Sequence, residues 1–304
     1  MTDPVLSIIV VSYHTREMTL ECLRTVRDET RTPYELIVVD NASTDGSPEA
    51  IAAEFPDAIV MAETENHGFA RANNLAAERA RGEYILLLNP DTLVLDGALD
   101  KLAAFARARP EARIWGGRTL FGDRSLNPTS CWRRISLWNL FCRAIGLSTV
   151  FRNSPIFHSE AYGGWKRDSE REVDIVTGCM LMISRADWEA LNGFDRVFFM
   201  YGEEADLCLR AARDLGARPR VTPTVEIVHY GGGATKVRAD KYVRIIQARI
   251  ELARRHLSGW RLPVAFALLN IWPWWRSAIF RAIRRDSVWV EVWRRRAEWK
   301  NGFS

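Results

Sequence analysis

Two apolar runs that each end abruptly in a carboxylate constrain this chain more than any other feature. Leu36-Ile37-Val38-Val39 stops at Asp40 and leads into Asn41-Ala42-Ser43-Thr44-Asp45-Gly46. Tyr84-Ile85-Leu86-Leu87-Leu88 stops at Asn89-Pro90-Asp91. Apolar at every position, each run predicts a strand buried on both faces, as in a parallel sheet covered by helices. Each strand would deliver its acid to the C-terminal edge, where open α/β sheets bind ligands. An Asp there suits a ribose, a base edge or a divalent cation. Two in register, with helical patterns between them, indicate a nucleotide and its metal.

The rest of the N-terminal half fits that reading. Leu6–Val11 is a further buried strand, Thr15–Glu29 has helical spacing, and Ser47 is placed to cap a helix through Phe55. Ala58–Ala62 reads as a short strand, Gly68–Ala80 and Leu93–Arg107 as helices, and Ile114 opens another extended piece. Such alternation predicts βαβ units, right-handed crossovers and a largely parallel sheet. Residues 118–172 are less regular and rich in Arg, Trp, Ser and Pro, which predicts excursions over the sheet edge on the acceptor side. Order returns in a strand pair or Gly178-kinked strand over Val173–Ile183 and in helices over Arg185–Leu191 and Glu203–Gly216. A strand over Val225–His229 follows, then Gly231-Gly232-Gly233 and helical spacing beyond 238.

Composition sets the outer bounds. The 304 residues, 47% hydrophobic and 26% charged, describe an ordinary globular protein. Five scattered cysteines (22, 131, 142, 179 and 208) form no C-x-x-C pair, which argues against a zinc site or disulfide framework and for a reducing compartment. No secretory leader is legible at the N-terminus. The net charge of +4 hides an asymmetry: residues 239–304 hold 14 Lys/Arg against 5 Asp/Glu and seven of the 12 tryptophans, leaving an acidic body. Body and tail are therefore expected to meet different partners.

Five groups of residues carry candidate chemistry. Asp40 is suited to accept from a nucleobase or ribose, and its turn residues equally suit an Asx turn. Asn66-His67-Gly68-Phe69-Ala70-Arg71-Ala72-Asn73-Asn74 opens a helix behind a glycine, so that Gly68 admits a phosphate close to the helix N-terminus and Arg71 adds charge; an ordinary N-terminal cap is the plainer reading. Asp91 suits Mg²⁺ or Mn²⁺, which keep waters and share diphosphate oxygens with one or two carboxylates. The stretch Phe198-Phe199-Met200-Tyr201-Gly202-Glu203-Glu204-Ala205-Asp206 sets three acids beside aromatic rings. Apolar surroundings bias a carboxylate upward in pKa, as a general base near neutral pH requires. His229, at a strand end, is either a metal ligand or a structural residue.

In their order and number these pieces resemble inverting glycosyltransferases of family 2, which have the two-subdomain nucleotide-sugar fold called GT-A. The matching segments run from Ser7-Ile8-Ile9-Val10-Val11-Ser12-Tyr13 through the Asp40, Asn66 and Asn89-Pro90-Asp91 motifs. They continue with Gly178-Cys179-Met180-Leu181, Gly193-Phe194-Asp195, the 198–210 block and His229-Tyr230-Gly231. The rhamnosyltransferase-like branch is the most similar. The resemblance implies an α/β catalytic domain over 1–238, with a nucleotide-sugar half to about 117 and an acceptor half beyond it, and a helical extension over 239–304. It implies that Ser12, Tyr13 and Asp40 hold the nucleoside; that Asn66, Gly68, Arg71, Asn73 and Asn89 line the nucleotide-sugar site; and that Asp91 and His229 hold Mg²⁺ or Mn²⁺. Glu204 would be the base, Glu203 would support it or meet the acceptor, and Asp206 and Tyr201 would lie on the acceptor side. Asn89 stands where the family's D-x-D has its first Asp, so metal binding rests on Asp91 and His229. The base position is Glu where many relatives have Asp, so Glu203 and Asp206 stay in play.

The implied donor is dTDP-L-rhamnose, with a UDP-hexose as the alternative, and the acceptor a lipid-linked or cell-surface glycan. An inactive sugar-nucleotide-binding module is disfavoured because both Asp91 and Glu204 are present. A nucleotidyltransferase is disfavoured because Ser12-Tyr13-His14-Thr15 replaces a basic Gly-rich loop. No nucleic-acid partner is expected of an acidic body. The tail, with Trp and Arg on different helix faces, predicts docking on the anionic inner face of the cytoplasmic membrane without crossing it. Packing of its tryptophans on the body or on a second subunit of a homo-oligomer is the alternative.

Overall fold

The computed structural model describes residues 3–231 and 238–303; Gly232 and Gly233 of the glycine run lie outside them. The first elements are β1 (Leu6–Ser12), α1 (Arg16–Glu29), β2 (Tyr34–Asp40), α2 (Ser47–Glu54), β3 (Ile59–Ala62), α3 (Gly68–Ala77) and β4 (Tyr84–Leu88). Next come β5 (Thr92–Val94), α4 (Ala98–Ala108), β6 (Ile114–Leu120), β7 (Leu126–Asn127), β8 (Cys131–Trp132), α5 (Leu137–Ala144) and α6 (Leu147–Val150). They are followed by β9 (Arg171–Glu172), β10 (Ile175–Val176), β11 (Met180–Ser184), α7 (Arg185–Ala190), α8 (Glu203–Asp214) and β12 (Arg220–His229). Helices α9 (Arg238–His256), α10 (Arg261–Ala282), α11 (Val288–Arg294) and α12 (Arg296–Trp299) end the chain.

These residues form two compact units. Residues 3–132, 166–199 and 204–231 make the first, and residues 133–165, 200–203 and 238–303 the second.

The first unit is built on a mixed sheet in the order β3-β2-β1-β4-β11-β6-β12-β5. Strands β3, β2, β1 and β4 are parallel. Every residue of β1 and β4 is buried, as central strands covered on both faces require. Ser12 pairs with Asp40 and Val10 with Leu88, so Ser12, Asp40 and the Asn89–Asp91 turn emerge at one edge. Strand β11 runs antiparallel between β4 and β6.

Several sequence expectations shift at this level. Leu93 lies in a strand, because Thr92 and Leu93 pair with His229 and Val228 of β12; helix α4 waits for the left-handed Gly97. Ser47 is the first helical residue of α2, and Asp45 accepts from its backbone N–H at 3.2 Å. Strand β12 begins at Arg220, with a register shift between Thr222 and Glu226; Pro223 within it removes a ladder donor and makes the segment read as broken. The expected break around Gly178 separates β10, paired with β8, from β11 in the main sheet.

The second unit is helical. The 118–172 stretch contains α5, whose Leu137, Leu140, Phe141 and Ala144 have helical spacing and whose Ser136 accepts from the Asn139 N–H at 3.2 Å. The tail tryptophans divide. Trp272, Trp289 and Trp299 are buried, with Trp289 between Trp272 (5.1 Å) and Tyr242 (4.6 Å). Trp260 and Trp274 are exposed, and with Val264, Ile271 and Ile279 they form an apolar stripe along α10. Arg and Trp do not keep to separate faces: Arg276 stacks over Trp275 and Trp289, each at 5.1 Å, and Arg296 over Trp293 at 5.5 Å. A guanidinium gains more over an indole face than opposite it. No helix among the described residues is long and apolar enough to cross a membrane.

Candidate functional site

The sheet edge holds the strongest constellation. Asp40 is almost wholly buried, and its two oxygens have different duties. Oδ1 accepts from the Ser43 N–H at 2.7 Å and closes an Asx turn. Oδ2 is buried with no hydrogen-bond partner among the described residues. Such an acceptor is costly unless a ligand donor fills it. The Asx turn therefore uses one oxygen of Asp40 and leaves the other open to a donor. Ser12 is different: its Oγ is buried between Thr15 (3.2 Å) and Thr19 (3.1 Å), against the start of α1. Its neighbour Tyr13 packs edge-on against His14.

Two strands away, Asp91 Oδ1 lies 3.4 Å from His229 Nε2. The same nitrogen lies 3.4 Å from Asn89 Nδ2. The Tyr230 N–H donates to the Asp91 carbonyl at 3.1 Å and locks the two strand ends together. Burial pushes the Asp91 carboxyl up, but the adjacent His229 ring outweighs it and holds it below the usual carboxylate range. Burial likewise opposes charge on His229, and Cys179 and Asp91 together push its imidazole up. The donor set fits a divalent cation. A separation of 3.4 Å is close to the ~3 Å between adjacent ligand atoms on an ion with ~2.1 Å bonds. No cluster of three His, Cys, Asp or Glu residues suited to a metal occurs among the described residues. A two-ligand site leaves positions for waters and phosphate oxygens, as Mg²⁺ sites do.

At the start of helix α3, the space over Gly68 that the sequence reading gave to a phosphate is taken by the Phe199 backbone. Gly68 has φ 74°, and a Cβ there would lie 2.3 Å from the Phe199 carbonyl oxygen. That closeness lets the Phe69 N–H donate to Phe199 O at 2.8 Å. Asn66 Oδ1 accepts from the Gly68 N–H at 2.9 Å, and Asn41 Nδ2 donates to the Gly68 carbonyl at 3.1 Å. Farther along, Asn74 accepts from the Phe194 N–H (2.9 Å) and donates to the Phe194 carbonyl (2.8 Å). Asn74 is a positioning residue to which the sequence reading gave no role. Asn73 is itself buried, donates to Phe69 O at 2.8 Å and leaves Oδ1 unpartnered. Arg71 is half-exposed, 3.6 Å from Glu65.

Of the three acids at the start of α8, Glu204 lies near Gly178, where a Cβ would stand 3.8 Å from Glu204 Cβ and 3.3 Å from the Phe69 ring. Asp206 is buried and paired with Arg210 at 2.6 Å. Arg210 also donates to the carbonyls of Leu191 (2.7 Å) and Gly193 (2.8 Å), which ties α8 to the turn before Phe194. Glu203 is buried, and Tyr201 has a left-handed backbone (φ 71°) ahead of Gly202.

This is the sheet of a GT-A enzyme. Over 94% of its length the chain superposes on a mannosyltransferase, PcManGT of Pyrobaculum calidifontis, solved with GDP-Man and Mn²⁺ (TM-score 0.58, 22% identity, 77% of that chain). Over 88% it superposes on S. aureus TarS 1–349 (TM-score 0.54, 16% identity, 70% of that chain). Residues 7–188 match the model of the family described as glycosyl transferase family 2, and the chain belongs to that family. It is 27% identical to the N-acetylglucosaminyl-diphospho-decaprenol L-rhamnosyltransferase of Mycobacterium tuberculosis, over 96% of this chain and 99% of that one. It is 28% identical to the rhamnosyltransferase WbbL of Escherichia coli K12, over 54% of this chain and 61% of that one. The chain is a glycosyltransferase.

Proposed function

We propose that this enzyme transfers L-rhamnose from dTDP-L-rhamnose, with inversion, to a hydroxyl of a lipid-linked glycan. The observation that carries the reading is the Asp91–His229 pair at the same sheet edge as the open oxygen of Asp40. It provides a cation-binding pair and a nucleoside acceptor on one surface. The choice of sugar and acceptor is supported by the full-length likeness to the mycobacterial rhamnosyltransferase.

Asp40 Oδ2 would accept from the nucleoside, while the Asn66–Gly68 turn and Asn73 shape the rest of the nucleotide-sugar site. Asp91 and His229 would hold Mg²⁺ or Mn²⁺, which supplies positive charge toward the departing diphosphate. Glu204 would take the proton of the acceptor hydroxyl as its oxygen bonds to the anomeric carbon. The bond from that carbon to the diphosphate breaks, and the nucleoside diphosphate leaves with the electron pair. One displacement inverts the centre. Glu203 is the alternative base, Asp206 shapes the acceptor side through Arg210, and Tyr201 faces the acceptor. Residues 1–238 would be the catalytic domain, divided near 117 into donor and acceptor halves, and 239–304 an extension.

The extension would rest on the inner face of the cytoplasmic membrane. The exposed stripe of α10 supports this, since Trp favours the headgroup level. Of the six arginines near the C-terminus, Arg294 and Arg295 are paired with Glu291 and with Asp240 and Glu298. Arg284 and Arg285 are exposed just beyond the end of α10.

The test is a donor panel scored for release of dTDP, UDP or GDP, with a prenyl-diphosphate-linked amino sugar as acceptor. Release of dTDP from dTDP-L-rhamnose with product of inverted configuration is expected. UDP release alone would replace the donor assignment. Flotation with anionic liposomes at low salt tests the membrane part; a full-length protein that stays at the bottom refutes it.

A further inference from the structure

The helical unit leaves an apolar face of its middle segment outside its own packing. Trp138, Phe141, Ile145, Val150, Phe151 and Ile156 are all exposed, from 39% at Phe141 to 74% at Val150. Helical spacing puts Trp138, Phe141 and Ile145 on one stripe of α5, while Leu140 and Ala144 are buried on another. Ring contacts join that stripe to the chain after α6. Trp138 lies 5.8 Å from Phe141 and 6.3 Å from Phe157, and Phe157 lies 5.1 Å from Phe151. The Trp138 indole N–H donates to the Ile156 carbonyl at 2.9 Å. These contacts make one continuous patch, and exposed apolar patches mark interaction sites. Helix α10 grips α5 and α6 through other residues: the Trp275 indole donates to the Ala144 carbonyl, and Arg276 Nη2 to Thr149 Oγ1.

The charge around the patch has one sign. No Asp or Glu occurs between Asp123 and Glu160, a run that holds five arginines. Arg143 turns inward to Glu160. Arg133 and Arg134, just before α5, and Arg152, just after α6, are exposed. Arg152 stays beside α6, its Nε donating to the Thr149 carbonyl at 3.3 Å.

We propose that this patch seats the enzyme in the headgroup layer of an anionic membrane, with Trp138, Phe141 and Phe151 at the acyl boundary and Arg133, Arg134 and Arg152 on lipid phosphates. Aromatic rings with arginines and no acids suit that layer on both counts. Helices of eight and four residues are far too short to cross it. A two-fold contact between copies would instead set the patch against itself, arginine facing arginine with no acid of the run to answer. The proposal rests on the membrane part of the reading above, but places the insertion in the middle segment and not in the extension.

The test is flotation of the full-length protein with phosphatidylcholine vesicles, with and without phosphatidylglycerol, at low salt. Wild type should float with the anionic vesicles. Phe141→Ser combined with Phe151→Ser should lower partitioning by about tenfold or more, with the thermal midpoint and donor hydrolysis unchanged. Arg152→Gln should lower it by about fivefold on anionic vesicles and leave it unchanged on neutral ones. Trp138→Phe keeps the apolar surface and removes one fluorophore, so it should float like wild type and lose part of the emission that brominated phosphatidylcholine quenches. A double variant that floats like wild type overturns the patch, as does undiminished quenching in Trp138→Phe. A double variant that floats normally but sediments as a smaller species than wild type assigns the surface to a second copy and overturns the proposal. Trp274→Ser on α10 separates the two anchors. Flotation lost there and kept in the double variant leaves the extension alone on the membrane and overturns the patch. The converse removes the extension from the reading while the patch stands. A wild type that ignores anionic vesicles overturns both.

Discussion

Asp91 Oδ1 faces His229 Nε2 at 3.4 Å across the ends of two strands that the sequence holds far apart. The pairing of β12 with β5 brings them together, His229 lying opposite Thr92. If this pair holds the cation, Asp91→Ala should reduce turnover by about 10²-fold or more, since metal neutralisation of a leaving diphosphate supplies several kcal/mol. Excess EDTA should abolish wild-type activity and Mn²⁺ or Mg²⁺ restore it. Undiminished turnover in EDTA refutes the assignment.

Glu204→Gln conserves shape and removes the proton acceptor. It should lower kcat by about 10²-fold or more while leaving the dissociation constant of the donor within about twofold, because the missing interaction belongs to the transition state. Glu203→Gln is the control. Should the two variants exchange behaviour, the base is the preceding residue.

Gly68→Ala should fail structurally before it fails chemically. The position combines φ 74° with a 2.3 Å approach of the new Cβ to a backbone oxygen, which no side-chain movement relieves. A loss of at least about 2 kcal/mol is expected from the left-handed conformation and the displaced Phe199 carbonyl. Urea denaturation followed by tryptophan fluorescence measures it; an unchanged midpoint contradicts the geometry.

Glu160 makes the helical unit sensitive to acid. Burial opposes its charge, but Arg143 and Arg249 outweigh that and bring the carboxyl down to about 2, from an ordinary 4.5. A folded-state value below the unfolded one contributes stability that is complete above about pH 4.5 and is lost as the pH falls toward 2, on the order of 3 kcal/mol at most. Glu160→Gln should lower stability at pH 7 and flatten the dependence between pH 4.5 and 2. Thermal unfolding midpoints across that range check both the sign and the window.

What could be read from the sequence follows the reach of each interaction. Strands β1, β2 and β4 were legible because burial on both faces makes them continuous apolar runs, and Asp40 and Asp91 stand out by ending them. Helix α5 was hidden in a stretch whose Trp, Arg and Pro content masked the spacing of Leu137, Leu140, Phe141 and Ala144. The grip of Asn74 on Phe194 was invisible, since its partner lies in another part of the chain and an Asn carries no periodicity. The division of the tail tryptophans into buried and exposed sets was equally hidden, because composition counts indoles without saying which ones pack.

The position of β11 between β4 and β6 bears on how such a chain comes off the ribosome. The first four parallel strands are complete by Leu88, and β6 by Leu120, yet the strand that joins them ends only at Ser184. Until then the apolar β4 keeps one bare edge and β6 lacks its neighbour, the state most prone to pair with another chain. The nascent enzyme thus has a long vulnerable interval during which its donor edge is half made. Fragments that stop short of Ser184 will behave as sticky open sheets and not as a miniature nucleotide-binding domain.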